Sequence, residues 1–432
     1  MTLVLAAVLT TSLAACGNKE EQAAEPKAAT VEKEAKELAK LERNNWAENN
    51  YKALVKLIEN NGLKSANYDA NKKPYIVVDW DNTSIFNDVQ ESLLIYQLRN
   101  LKFNMTPEEF SAVIRTDIPV ENFAEACNNK DGKAVNIDSV GADIDSDYKF
   151  LYENYEGFKG KMTLDEIKQT AEYQDFVVKT RYLYNAIGET FSADISYPWV
   201  TYMLTGMTEA EVMDISEKSI DVSLAAEISD EEIVSPATLP GKAGVVSVKI
   251  HNGLRTLPEQ QNLYKTLMDN GIDVYVVSAS FIDVVKTFAT NPKYGYDIPV
   301  EKVYAMELDR DKDGKIVSKF KEGHPQTQGP GKTETINKFI AVNHQNQGPI
   351  MVAGDSNGDY NMLIDFDSMQ LGLIVNKLKS GNMGELSKKA AETLGKSDAK
   401  YFLQGRDDNA GAFRQGEETI VLGEKEGKLV KE

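Results

Sequence analysis

The stretch Tyr75–Ser84, "YIVVDWDNTS", decides how the rest of the chain is read. Apolar residues from Tyr75 to Val78 run straight into Asp79 and Asp81, acids one residue apart. Side chains alternate along a strand, but a chain that is leaving its strand can aim both acids into one cleft. Two close carboxylates raise each other's pKa unless their charge is offset. A divalent cation offsets it, and hard cations prefer such oxygens.

Working outward, two more apolar runs end abruptly on polar residues. Val274–Val277 precedes Ser278, and Ile350–Ala353 precedes Gly354 and Asp355. Helical patterns lead into both: "LPEQQNLYKTLMDNG", with Leu263, Leu267 and a stop at Gly271, and "TETINKFIAV". Strands alternating with helices imply a parallel sheet with crossovers. Ligands bind such α/β sheets at the carboxyl ends of the strands, so the polar endings gather at one edge. An earlier helix places Tyr51, Leu54, Leu57 and Ile58 on one face, with Gly62 as its cap.

Roughly two hundred residues separate the first run from the second, far more than one crossover needs. The excess reads as an inserted, mostly helical domain. It opens with "SIFNDVQESLLIYQLRNLKF". "MTPEEF" carries Thr106 as cap, Pro107 at the first helical position and Glu109 closing the box, and Thr208 and Glu211 repeat the device. From Tyr148 to Tyr202 the insertion is crowded with aromatics, among them Tyr182, Tyr184, Tyr197, Trp199 and Tyr202.

Asp355 adds an oxygen to the acid pair, with Asp359 one helical turn on. A site of oxygens alone, without histidine or cysteine, favours Mg²⁺ over zinc. Ser278 offers a hydroxyl and, with Ala279, backbone donors at a helix start. Lys332, in "GPGKTET", neutralises phosphate oxygens. A carboxylate nucleophile, a neighbouring acid/base, a hydroxyl, a lysine and a metal-binding acid together suit phosphoryl transfer through an aspartyl-phosphate.

On these motifs the chain resembles the phosphatases of the haloacid dehalogenase superfamily, which read DxDx[TV], a strand ending in Ser or Thr, a Lys, then an acidic motif. Here they stand in that order as Asp79-Trp80-Asp81-Asn82-Thr83, Val276-Val277-Ser278-Ala279-Ser280, Lys332, and Gly354-Asp355-Ser356-Asn357-Gly358-Asp359. The resemblance implies a Rossmann-like α/β core with a helical cap over the site. It makes Asp79 the nucleophile and Asp81 the acid and then the base. Mg²⁺ would sit on Asp79, Asp355 and the carbonyl of Asp81, with Asp359 in the same acidic motif. Thr83 would orient the loop, and Ser278 and Lys332 would hold the phosphoryl group. Dehalogenases lack an acid at the place of Asp81, which favours a phosphatase. Gly358, where some phosphoserine phosphatases have Asn, weighs against phosphoserine as the substrate.

"DWDNTS", "ESLLIYQL", "YPWVTYMLTGMT" and "GIDVYVVSAS" are also similar to exported bacterial phosphorylcholine phosphatases. Aromatic faces recognise quaternary ammonium, and Tyr197, Trp199 and Tyr202 are candidates for such a cage; the alternative is that they pack the cap. Phosphoethanolamine would fit nearly as well as phosphocholine. A rival of another class is a solute-binding lipoprotein, but a receptor has no need of a nucleophile beside an acid.

The formal net charge of −19 disfavours nucleic acid and anionic lipid as partners. The apolar run Leu3–Leu9 and "LAACG" resemble a bacterial lipoprotein signal without the usual basic start, with Cys16 as the lipidated residue. The expected layout is therefore a signal peptide over 1–16, a flexible tether over 17–40, a core over 41–87 and 252–400, a cap over 88–251 and a C-terminal tail over 401–432. The expected location is outside the cytoplasm, anchored to the membrane by lipid alone, with a small phosphate ester as substrate and no obligate protein partner. "QTQGPGKT" lacks the first glycine and the preceding strand of a nucleotide loop. "DRDKDGKIVSKF" has Phe320 where a calcium loop needs glutamate, so a hairpin from "VYAMEL" to "KIVSKF" is expected. The three histidines, scattered, read as surface or loop residues, and Cys127 as a helix residue.

Overall fold

A computed structural model describes residues 38–431. The leader with Cys16 and most of the tether lie outside the described residues. No helix among the described residues is long and apolar enough to cross a membrane.

Six parallel strands form the central sheet: β1 (Tyr75–Val78), β2 (Asp273–Phe281), β3 (Val303–Met306), β4 (Met351–Gly354), β5 (Leu371–Val375) and β6 (Tyr401–Gln404). Their order is β6-β5-β4-β1-β2-β3. β1 therefore lies inside the sheet, pairing Val78 with Ala353 on one side and Val276 on the other. Both faces of β1 are covered, so it reads as continuously apolar rather than alternating. Ile76 and Val78 join one hydrophobic cluster, Tyr75 and Val77 the other. The chain runs outward from β1 to β3, then returns to β4 on the opposite side of β1. That reversal opens a crevice between β1 and β4, the place where sheets of this kind bind ligands. Asp79 and Asp355 end the two strands that flank it.

Three expectations change. The strand through Val277 does not stop before Ser278 but runs on to Phe281, with a register irregularity against β3 between Val277 and Phe281. "VYAM" is an edge strand of the central sheet, and the antiparallel hairpin is the shorter Leu308–Arg310 with Ile316–Phe320. The segment set apart as a tail supplies β6, and the rest of it forms a small four-stranded sheet. His344 is also not a surface residue: it is buried, stacks on Tyr75 and bonds the Tyr275 hydroxyl at 2.9 Å. Cys127, itself buried, ends a 3₁₀ turn, Glu125–Cys127.

The insertion leaves and rejoins the core through a short antiparallel pair, Ile85 with Thr256 and Phe86 with Arg255. Between them stand helices such as Val89–Asn100, Ile137–Asn154, Ala171–Thr190, Ala193–Tyr202 and Glu209–Ala225, and a hairpin, Ser229–Val234 with Ser247–Asn252. Capping boxes at Thr106 and Thr208 start helices as the spacing predicts. The insertion has an aromatic core, with Phe110 stacked on Tyr148 at 4.1 Å and Phe176 tilted against both at 5.6 Å. It also buries Lys179 between Asp143 and Asp175 at 2.9 and 2.7 Å. Burial and the nearby Asp175 carboxylate push Asp147 up to about 9.

A second attachment lies away from that strand pair. Gly206 N–H donates to the Ile316 carbonyl and Ile316 N–H to the Met207 carbonyl, each at 2.8 Å, so the core hairpin grips the insertion by its backbone.

Candidate active site

The loop after β1 is built by its own backbone. The N–H groups of Thr83, Ser84 and Ile85 converge on the Trp80 carbonyl, and Asn82 turns the chain at φ +60°, where asparagine is tolerated better than most residues. Trp80 anchors the turn by full burial against Phe288 and Tyr296. Asp79 N–H continues the ladder to the Ala353 carbonyl at 3.0 Å. Its own carbonyl accepts from Ser84 Oγ, which also meets Tyr264 OH at 2.6 Å.

Asp79, Asp355 and Asp359 present oxygens within 4.8 Å of one another, all buried. Lys332 Nζ, itself buried, donates to Asp79 Oδ1 at 2.6 Å and to Asp359 Oδ1 at 2.7 Å. It rides on the helix Pro330–Thr335, which approaches so closely that a Cβ on Gly331 would stand 1.6 Å from the Gln326 carbonyl oxygen. Thr83 Oγ1 lies between Asp79 Oδ2 at 3.2 Å and Asp355 Oδ1 at 3.4 Å. Asp81 turns elsewhere: its Oδ1 accepts from Val89 N–H at 2.7 Å and its Oδ2 from Ser280 Oγ at 2.6 Å.

Burial and the Asp359 charge push Asp79 up to about 8, with Lys332 pulling the other way. Burial, then the Asp88 carboxylate, holds Asp81 well above the usual carboxylate range. Burial works against the charge on Lys332, but Asp359 and Asp79 outweigh it and keep the ammonium protonated. Both carboxyls are thus pushed toward their protonated forms, and Asp79 is the one that a lysine draws back toward ionisation.

The oxygens fit a hard cation unevenly. Asp359 has little left to give: Oδ1 takes Lys332, and Oδ2 accepts from Asp355 N, Ser356 N and Ser356 Oγ at 2.9–3.0 Å. It braces the lysine and its own loop. Asp355 accepts only the long contact from Thr83, so its oxygens and Asp79 Oδ2 are the ones available to a metal.

A cleft of about 490 Å³ opens on these groups, walled by Asp79, Asp81, Ala279, Ser280, Lys332 and Asp355 from the core. From the insertion come Asp88, Gln90, Glu91, Tyr184, Glu189 and Tyr197. Of the expected cage only Tyr197 lines this cleft. Trp199 is wholly buried, with Nε1 donating to the Ile114 carbonyl at 3.0 Å and its ring stacked on Tyr184. Tyr202 is buried beside Phe320 and bonds Asp117. Both are packing residues. Ser278 is also buried behind the cleft wall; its hydroxyl oxygen accepts Ser280 N–H at 3.1 Å and its carbonyl accepts Thr327 Oγ1.

The sequence reading passed over Ser280, Gln90, Tyr184 and the basic pair Lys377 and Lys379, all on the cleft. Gln90 carried a signal: it shares the inner face of its helix with Leu93 and Leu94, both fully buried. Arg406, just past β6, reaches Asn82 Oδ1 at 3.3 Å and lies over the Phe86 ring at 3.8 Å.

A DxD loop, a lysine and a closing acid meet at the switch point of this sheet, under an inserted helical domain, an arrangement that resembles the phosphatases of the haloacid dehalogenase type. No protein-family model matches the chain. It belongs to one family with a conserved protein of unknown function from Anaerococcus prevotii, 40% identical, whose solved structure superposes with a TM-score of 0.84 over 90% of this chain and 99% of that one. It is also 26% identical, over 318 residues, to a phosphorylcholine phosphatase of Pseudomonas aeruginosa, a match covering 68% of this chain and 71% of that protein.

Proposed function

We propose that the protein hydrolyses small phosphate monoesters through an aspartyl-phosphate on Asp79, with phosphocholine or phosphoethanolamine as the preferred substrates. The observation that carries this is the geometry at the crevice: Lys332 Nζ stands 2.6 Å from Asp79 Oδ1, and Asp81 lines the same cleft. Asp79 Oδ attacks phosphorus in line with the leaving oxygen. Lys332 and the backbone at Ala279 receive the phosphoryl oxygens. Asp81 gives its proton to the departing alcohol, then takes one from the water that cleaves the acyl-phosphate. Mg²⁺ held by Asp79 and Asp355 would supply positive charge against the phosphoryl oxygens. Thr83 bridges those two carboxylates and fixes their spacing.

The preference for an amino-alcohol leaving group is supported by the insertion's side of the cleft, where Asp88, Glu91 and Glu189 stand beside Tyr184 and Tyr197. Negative charge and aromatic faces both suit a cation. The name of the Pseudomonas relative points the same way. The lipobox-like "LAACG" supports anchoring at Cys16 outside the cytoplasm; detergent partitioning of wild type against Cys16→Ala tests it, and equal partitioning would reject it.

The decisive assay is phosphate release from phosphocholine, phosphoethanolamine, phosphoserine and nucleotides, with Mg²⁺ and with chelator. Turnover that is favoured on the amino-alcohol esters, lost with chelator and lost in Asp79→Asn supports the reading. Near-normal turnover in Asp79→Asn rejects the nucleophile, and equal rates across all esters reject the preference.

A further inference from the structure

We propose that Gln90 donates a hydrogen bond from Nε2 to a phosphoryl oxygen of the bound ester, a contact that rests on the reaction proposed above. Gln90 is the second residue of the helix Val89–Asn100 and is 3% exposed. Its amide orientation is fixed, because Phe281 N–H donates to Oε1 at 3.0 Å and a flipped amide would set two donors against each other. Nε2, buried at the other end, has no hydrogen-bond partner among the described residues. Buried donors are rarely left in that state, since an unmade bond forfeits the solvation of the group.

Asp81, an acid on the same cleft, is already engaged. It takes Val89 N–H on one oxygen and Ser280 Oγ on the other. Yet Gln90 lines the same cleft as Asp79, Ala279 and Lys332. Its anchor, Phe281, ends the strand that carries Ser278 and Ala279, so the amide is tied to the strand that walls the cleft at Ala279. A tetrahedral phosphoryl group brings several acceptor oxygens, and Lys332 and the Ala279 backbone do not exhaust them. The substrate supplies the acceptor that the fold withholds.

Gln90→Glu separates this role from a structural one. It keeps the acceptor for Phe281 N–H and replaces the donor with a second acceptor. In the Mg²⁺-loaded protein, calorimetric affinity for inorganic phosphate should weaken by roughly 10- to 100-fold. KM for phosphocholine and for p-nitrophenyl phosphate should rise by the same factor, whatever the leaving group. Gln90→Met, neutral and without a donor, should show the same loss of phosphate affinity, together with a lower Tm from the broken Phe281 bond. Phosphate affinity in Gln90→Glu within about twofold of wild type would overturn the proposal, leaving Gln90 a purely structural clamp. A wild type that binds phosphate but hydrolyses no ester would reject the proposed reaction instead, and phosphate affinity alone would then judge Gln90.

Discussion

Removing the ammonium of Lys332 while keeping its bulk, as in Lys332→Met, isolates what that charge does. Its Nζ stands 2.6 Å from Asp79 and 2.7 Å from Asp359, with all three groups buried. Deleting one member of a buried ion pair leaves an uncompensated charge and costs about 3–5 kcal/mol. A folded unit of roughly 400 residues unfolds with an entropy near 0.8 kcal/mol per degree, so Tm should fall by about 4–6 °C. Activity should suffer more. Burial already pushes Asp79 up to about 8, and Lys332 is the group that opposes the rise. Without it the carboxyl ionises still less readily near neutral pH, and each further tenfold loss of acidity removes about nine-tenths of the remaining ionised form. Phosphate release at pH 7 should drop by at least about 100-fold and recover partly as pH rises. Adding Asp359→Asn to Lys332→Met should restore much of the Tm, because the stranded charge is gone, yet none of the turnover. A single variant whose Tm stays within about 1 °C of wild type, with turnover within about threefold, would refute the reasoning: the lysine would then be neither a necessary counter-charge nor a tuner of Asp79.

Other outcomes follow from the same geometry. Ser280→Ala removes the hydroxyl that favours ionised Asp81, so Asp81 should hold its proton more tightly and the pH–rate profile should move to higher pH; an unmoved profile would detach Ser280 from the chemistry. Trp199→Ala should destabilise the fold by about 3–5 kcal/mol and leave KM alone, whereas Tyr197→Leu should raise KM with little change in Tm; the reverse pattern in melting and kinetics would return Trp199 to the cleft. Asp147 has a folded-state pKa of about 9, above that of the unfolded chain, so the folded protein keeps a proton that the unfolded chain has released. Stability should therefore fall as pH rises from about 4 to about 9. Asp147→Asn cannot ionise, so its Tm advantage over wild type should widen through that window, and parallel Tm curves would contradict it.

The legible parts of the sequence were those where chemistry interrupts an apolar run. Asp79 and Asp355 each follow residues that must be buried, which marks both a central strand and its carboxyl end; Ser278 marks the strand, which runs on to Phe281. β5 and β6 escaped notice, and β3 was read as one arm of a hairpin, because "LGLIV" and "YFLQ" end on residues without an evident task and pairing between remote segments is a tertiary property. The aromatic stripe was ambiguous for a different reason. Tyr197, Trp199 and Tyr202 crowd a single helix, and composition does not say which of them faces packing and which faces space. Only Tyr197 meets the cleft. Asp359 reads from sequence as a metal oxygen, but three donors from its own loop and one lysine claim it first. Gln90 was passed over because glutamine on a helix ordinarily faces solvent; its position in line with Leu93 and Leu94 was the clue.

The paired amide–carbonyl bonds between Gly206, Met207 and Ile316 bear on how molecules come and go. A roof hinged along one edge can swing freely, whereas one bolted at two separate edges must first shear a bolt. Each bolt is modest, about 0.5–1.5 kcal/mol, but the hairpin that carries them is itself seated by Asp283 on Arg310 at 2.6 Å. Traffic should then pass through the cleft as it stands, and the width of that cleft, more than the travel of the roof, should limit the size of the leaving group.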